Sequence, residues 1–352
     1  MFQDSRPKLN NWILPVILFL IGAFRFPAHD MRSAMWLTAE LGVYLSVSVF
    51  IFKQNGWIGS FLILTLISSM YPQFGKWSYL SRNAVVIGCL WYAAVITVKN
   101  TDGLLKAICL IGMVNCFFII LQIFGINFIF IIRPGDITGI MANRNETSSL
   151  IALCLPAYFQ LGGKWLLVVP FVLAAFIPVE TFGGVLAVII SIGVISWFAL
   201  KSHIILLISM ALLIIAVVYA LFFDMPDLSF RPELWSRSLA EWFKHPLTGY
   251  GIGHYKFVMN QMRAHNDVLQ AVVEMGIVAG LIMIGYTVST LRSLYRHGAS
   301  SLFAAFIIIL VLSLVSFPFH IAPTAIIAVT WMAIFEIAIR ERSVLVVNGG
   351  RR

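Results

Sequence analysis

Residues 231–280 read RPELWSRSLAEWFKHPLTGYGIGHYKFVMNQMRAHNDVLQAVVEMGIVAG, and this stretch decides how the rest of the chain is divided. It is the one long polar break in an otherwise apolar sequence. It holds Trp235, Trp242 and Phe243, then glycines at every second position (Gly249, Gly251, Gly253), then Arg263-Ala264-His265-Asn266-Asp267 just before the chain turns apolar again. Aromatic anchors and regular glycine spacing argue for a built segment rather than a disordered one.

Outward from this break, composition sets the class. Of the 352 residues 60% are apolar and only 11% are charged, whereas soluble chains carry about 25% charged residues. That is too little polar surface to cover a water-soluble body. Recurring apolar runs therefore predict an all-α polytopic membrane bundle, because in lipid a helix satisfies its own backbone. The net charge of +9 is scattered singly at span ends, as for membrane anchors. It is not gathered into a patch for nucleic acid, which is excluded as a partner.

The apolar runs predict about 12 transmembrane helices: 12–26, 33–52, 56–71, 83–98, 104–124, 146–161, 165–179, 182–200, 203–223, 268–291, 302–317 and 321–339. A short interfacial piece is expected at 126–132. The large loop 224–267 separates nine spans from three, and no internal repeat relates the two parts. Lys and Arg set the orientation. With the N-terminus inside, the inner ends carry thirteen basic residues, from Arg6 and Lys8 to Arg351 and Arg352, against six outside: Arg25, Arg32, Lys76, Arg82, Arg133 and Arg144. Both termini are thus expected in the cytoplasm and the large loop outside. The first apolar run lacks a small-x-small site, so no cleaved signal peptide is expected.

Within the loop, Arg231-Pro232 opens an amphipathic helix, with proline suited to the first helical position. Leu234, Trp235, Leu239, Trp242 and Phe243 share a broad face for the membrane surface or the bundle top. Glu233–Arg237 and Arg237–Glu241 are i,i+4 pairs, which give Arg237 a structural role. Arg231 has no acid at i+4 and is a candidate for an anion ligand or a headgroup anchor. His245-Pro246 ends the helix, and the Gly249 to Gly253 segment reads as a permissive reversal whose amides could approach an anion. Asn266 or Asp267 is expected to cap the next span. His265 is not needed for a cap and is a titratable group at the outer edge. Asp267, Gln270 and Glu274 share a helical face, and Glu274 serves either a site or an interhelical hydrogen bond. Asn143-Arg144-Asn145-Glu146 opens the sixth span on the same side, with Asn145 a plausible cap and Arg144 a candidate for phosphate or headgroup. Phe317-Pro318-Phe319-His320 joins the last two spans, also outside.

Other chemistry is missing from the sequence. There is no HExxH, P-loop or G-x-S-x-G, so no metal and no cofactor is expected. The pair Asp224 and Asp227 reads as a solvated turn. Cys89, Cys109, Cys116 and Cys154 lie in apolar runs without CxxC spacing and read as small buried hydrophobes.

Taken in order, Arg231-x-x-Leu234-Trp235, His245-Pro246-Leu247-x-Gly249-x-Gly251-x-Gly253, Ala264-His265-Asn266-Asp267-x-Leu269-Gln270 and Glu274-x-Gly276 resemble the O-antigen ligase and polymerase superfamily of bacterial membrane glycan transferases. Asn143-x-Asn145 and Phe317-Pro318 are softer matches. The resemblance implies an inner-membrane enzyme of lipopolysaccharide biosynthesis with a large periplasmic loop between the ninth and tenth spans. Its donor would be a glycan on undecaprenyl pyrophosphate and its acceptor lipid A–core, or a second glycan in a polymerase. Arg231 would bind the pyrophosphate and His265 would be the essential loop histidine. Arg144, Arg263, Asn143, Asn145, Asn266, Gln270, Glu274 and His320 are the candidate substrate-binding residues around them. One departure stands out: where the family often carries Ser-Arg-Gly at the start of the eighth span, this chain has Thr181-Phe182-Gly183-Gly184, so another arginine, Arg144 or Arg263, is expected to substitute. Besides ligase and polymerase, a twelve-span transporter or flippase is a more distant alternative, disfavoured by the lack of repeat symmetry.

Overall fold

In a computed structural model of the chain, the described residues are 75–98, 100–126, 137–141, 143–179, 181–200, 211, 230–260, 264–296, 298 and 300–349. The expected spans 12–26, 33–52 and 56–71, the span 203–223 apart from residue 211, residues 127–132, Asp224, Asp227 and Arg263 lie outside them. Among the described residues every regular element is a helix and there is no strand. In chain order they are α1 (Gly75–Val95), α2 (Asp102–Ile123), α3 (Arg144–Leu161), α4 (Val169–Phe176), α5 (Phe182–Leu200), α6 (Arg231–Trp242), α7 (Tyr255–Val258), α8 (Asp267–Arg296), α9 (Ser300–Val315) and α10 (Ala322–Gly349). Among the described residues three helical segments are long and apolar enough to cross a membrane: Asp102–Ile123, Asp267–Arg296 and Ala322–Glu341. They mark a membrane protein, and their apolar side chains supply both the core and the outer surface.

Close helix packing in this bundle rests on small residues and on polar side chains that find partners across it. A Cβ on Gly112 of α2 would lie 2.7 Å from the Tyr158 hydroxyl of α3, and one on Gly184 of α5 would overlap Ser148 of α3. Buried aromatics are tied at their polar ends, as they must be in a low-dielectric interior. The Trp91 indole donates to Thr330 Oγ1 at 2.9 Å, Trp331 to the Leu153 carbonyl at 2.8 Å, and Tyr158 to the Cys109 carbonyl at 2.6 Å. All four cysteines are free thiols; Cys109, Cys116 and Cys154 are buried, as expected, and Cys89 is only partly so.

Two expected spans are broken. The run 165–179 is a 3-10 turn (Gly163–Val168), a short helix (Val169–Phe176) and a second 3-10 turn (Ile177–Val179). Gly162 and Gly163 take positive φ before it, and Pro170 and Pro178 each remove a backbone donor, so hydropathy alone overstated its regularity. The run 268–291 lies within α8, but Gly276 (φ 75, ψ −175) interrupts the helix. Residues 246–251 fill the gap. Ile277 N donates to the Pro246 carbonyl at 2.9 Å, while Tyr250 N and Gly251 N donate to the carbonyls of Val273 and Glu274 at 3.0 and 2.7 Å. The Gly249 to Gly253 segment is therefore more than the simple reversal the spacing suggested. Gly249, Gly251 and Gly253 do have positive φ, and a Cβ on Gly249 would sit 2.6 Å from Met275 N. The glycines let one backbone pass directly against another.

Candidate functional site

Helix α6 forms where expected. It buries Arg231, Leu234 and Ser238 and leaves Glu233 and Arg237 exposed. Glu241 pairs with Lys244 at 2.7 Å and accepts from the Tyr250 hydroxyl at 2.9 Å. The expected i,i+4 partner, Arg237, acts on it only at longer range, because Lys244 at i+3 reaches it directly. Those contacts hold the Glu241 carboxyl below its ordinary range, Lys244 first, then Tyr250. On the buried side, Ser238 Oγ and the Tyr255 hydroxyl lie 2.6 Å apart. Burial pushes the Tyr255 phenol up to about 12, so it is neutral and bridges α6 to α7.

The His265 backbone is pinned from the same helix. The Trp235 indole donates to the Ala264 carbonyl at 2.7 Å, and His265 itself takes φ 49, a left-handed conformation that a side chain adopts at a cost of about 1–2 kcal/mol. Its ring packs edge-on between Phe230 and Phe317, with centroids at 5.6 and 4.9 Å. Arg231, 4% exposed, sends Nη1 to the carbonyl of Val315, the last residue of α9. A guanidinium there meets the negative end of the helix dipole. Arg231 and His265, distant in sequence, thus close on one short segment, residues 315–317.

The same segment continues to the third titratable group. His320 Nδ1 lies 2.6 Å from Asp267 Oδ1, and Phe319 N donates to Asp267 Oδ2 at 3.3 Å. Asp267 therefore tethers α8 to the α9–α10 turn instead of capping its own helix. The cap is Asn266, whose Oδ1 accepts Leu269 N at 2.8 Å. Gln270 and Glu274 are both buried. Glu274 Oε1 accepts from Gln270 Nε2 at 3.0 Å and from Tyr255 N at 3.2 Å, a bond between elements that favours the structural reading of Glu274.

The opening of α3 faces the same end of the bundle. Its cap is Asn143, whose Oδ1 accepts Glu146 N at 2.9 Å. Asn145, expected as the cap, lies two residues too late, and its carbonyl accepts the hydroxyls of Ser148 and Ser149. Ser148 in turn receives the Thr181 hydroxyl, and Ser149 Oγ lies 3.4 Å from Ser316 Oγ. Arg144 is exposed and Glu146 is buried. Gly183 stands against Val315, where a Cβ would lie 3.1 Å from Cγ2. The structure thus gathers Arg231, His265, Asp267 and His320 around residues 315–320, with the α3 and α5 openings alongside and Arg144 on the outside.

Sequence reading missed the Val315 carbonyl, the Phe230 and Phe317 rings and the Thr181–Ser148 bond. The available signal was the polar run Glu146-Thr147-Ser148-Ser149 at the head of an apolar span. No family model matches the chain, and no curated protein matches it in sequence.

Proposed function

We propose that this protein is a metal-independent, inverting glycan transferase of the O-antigen ligase type. It moves a glycan from undecaprenyl pyrophosphate to an acceptor hydroxyl of lipid A–core at the periplasmic face of the inner membrane. A polymerase, with a second glycan as acceptor, uses the same chemistry. The observation that carries this reading is the convergence of Arg231 and His265 on residues 315–317. A forked guanidinium and an imidazole held at one end of a membrane bundle are the two groups such a transfer requires.

In the proposed step the acceptor oxygen attacks the anomeric carbon as the bond to the pyrophosphate oxygen breaks. The acceptor proton passes to His265. Its Nδ1 is buried, so Nε2 is the nitrogen assigned to the substrate. The bonding pair leaves with the pyrophosphate, whose growing charge Arg231 neutralises. His320, fixed by Asp267, orients the acceptor. The family's arginine at the eighth span is absent, but Phe182-Gly183 packs beside Val315, the residue that Arg231 reaches from the loop side. Arg231 thus lies close to that place, and Arg144, exposed at the opening of α3, or Arg263 supplies the second cation.

The test is transfer in proteoliposomes given undecaprenyl-pyrophosphate glycan and purified lipid A–core. His265→Ala is expected to lower turnover about a hundredfold to ten-thousandfold, the usual contribution of a positioned base. Arg231→Lys is expected to lose roughly a hundredfold because the fork is lost. Full turnover in either variant removes that residue from the mechanism. Single repeat units left on the core of a deletion strain would point to a polymerase.

A further inference from the structure

The two halves of α8 differ in what they expose. Residues 267–275 bury Asp267, Gln270 and Glu274 and contribute no large exposed apolar side chain. Beyond Gly276 the helix exposes Val278, Leu281, Ile284 and Val288, a stripe that runs along successive turns, and then Ser289, Arg292, Tyr295 and Arg296 at its far end. Residues 277–296 rise about 30 Å at 1.5 Å per residue, which is the thickness of a bilayer's hydrocarbon core. This half is long enough to cross lipid without help from the first.

Helix α9 returns from the far end of that span and rises only about 24 Å over its sixteen residues. Its last residue, Val315, lies just before the turn that Asp267 holds. The first half of α8 therefore cannot continue along the membrane normal and still place Asp267 at that turn. The break at Gly276 lays it across the end of the bundle.

The loop leading into the break exposes apolar side chains, interleaved with Lys244, His245 and Thr248. Leu239 lies on α6 and Phe243 caps its end about one turn later, and Leu247 follows; Phe243 is 69% and Leu247 70% exposed. The Leu247 backbone lies directly against Gly276, where the stripe of α8 begins. Trp242 packs on Phe243 at 4.8 Å, and Lys244 stands beside them. An aromatic and apolar cluster with an adjoining lysine has the composition of a membrane interface.

We propose that the lipid surface meets the molecule at Gly276, and that Leu239, Phe243 and Leu247 seat residues 231–260 in the headgroup and acyl boundary. The occupant of this apolar face is the bilayer, because the face continues into the stripe of α8. Glu233 and Arg237, on another edge of α6, stay in water. This placement is independent of the proposed transferase activity.

The test is nitroxide accessibility of the full chain in lipid nanodiscs, with single cysteines replacing Glu233, Arg237, Phe243, Leu247, Val278, Leu281, Ile284 or Val288. All eight positions are exposed, and the unsubstituted protein gives the labelling background of the native thiols. The ratio of oxygen to aqueous nickel-complex accessibility is expected to be about tenfold higher at 243 and 247 than at 233 and 237, since hydrocarbon excludes the charged complex. Depth should increase from 278 through 281 and be greatest at 284 and 288. Nickel accessibility at 243 and 247 equal to that at 233 and 237 overturns the proposal. So does low accessibility to both reagents there, which would mean that protein, such as a second copy of the chain, covers the face. A depth maximum at 278 would move the boundary away from Gly276.

Discussion

Residues 138–141 and residues 246–251 are both irregular backbone laid against helices, and they are held in opposite ways. The first is held by side chains. Gln122 accepts from Thr138 N and Gly139 N at 2.8 and 2.9 Å and donates to the Gly139 carbonyl at 2.8 Å, while Asn115 accepts Ile140 N at 3.0 Å. The second is held chiefly by backbone, through the groups that the break in α8 leaves open, with the Trp242 indole donating to the Pro246 carbonyl at 3.1 Å. A polar backbone in an apolar surrounding must be satisfied by something. An intact helix such as α2 has only side-chain amides to offer. A broken helix offers its own amides and carbonyls, on the condition that neither chain carries a side chain at the crossing.

That difference ranks the expected effects of substitution. Gly276→Ala should be the most damaging. Its φ and ψ belong almost only to glycine, and its Cβ would overlap the Leu247 carbonyl. Backbone on both sides cannot yield, so a loss on the order of 4 kcal/mol is expected in thermal unfolding in detergent. Gly139→Ala separates the two designs. It also has positive φ, but its Cβ meets chiefly the Asn115 side chain, which can yield only by giving up Ile140 N, so about 2–3 kcal/mol is expected. A cost at 139 equal to that at 276 would end the distinction between yielding and unyielding neighbours.

Gln122 tests the side-chain clamp directly. Gln122→Ala leaves two amides and a carbonyl to find other partners and should cost about 2–3 kcal/mol. Gln122→Glu keeps the acceptor for both amides and loses only the donor, so a smaller cost of about 1 kcal/mol is expected. Reversal of that order would mean that the Gly139 carbonyl, and not the pair of amides, anchors the segment.

The smallest effect should come from acid titration of the loop. The Glu241 carboxyl is held below its ordinary value of 4.5, mainly by Lys244. A lowered native pKa adds stability that is present above the unfolded value and lost as the pH falls through the native one. The melting temperature should therefore drop slightly more below about pH 4.5 in the native chain than in Glu241→Gln. Because the pair is solvent-exposed, raised salt should shrink that difference.

Much of this was legible beforehand because it is local. The amphipathic start at Arg231-Pro232, the apolar runs of α2, α5 and α10 and the free cysteines follow from spacing and composition. The caps were legible in kind only. Asn266 was one of two neighbouring candidates, whereas at α3 the expected Asn145 gives way to Asn143, because which residue caps depends on where the turn before it ends. The break at Gly276 was hidden because its glycine lies in an apolar run that reads as one span, and the strand of chain filling it lies some thirty residues earlier.

By itself, the sequence determined that this chain is helical and belongs in lipid, because too few of its residues carry charge to face water and each apolar run can close its own backbone bonds. It also determined which imidazole and guanidinium groups were available near the polar break. Only the tertiary structure decided that Arg231, His265 and the Asp267–His320 pair meet at residues 315–320. That meeting depends on a helix turning aside at Gly276 and on one backbone lying against another, and contacts between distant backbones leave no period in a sequence.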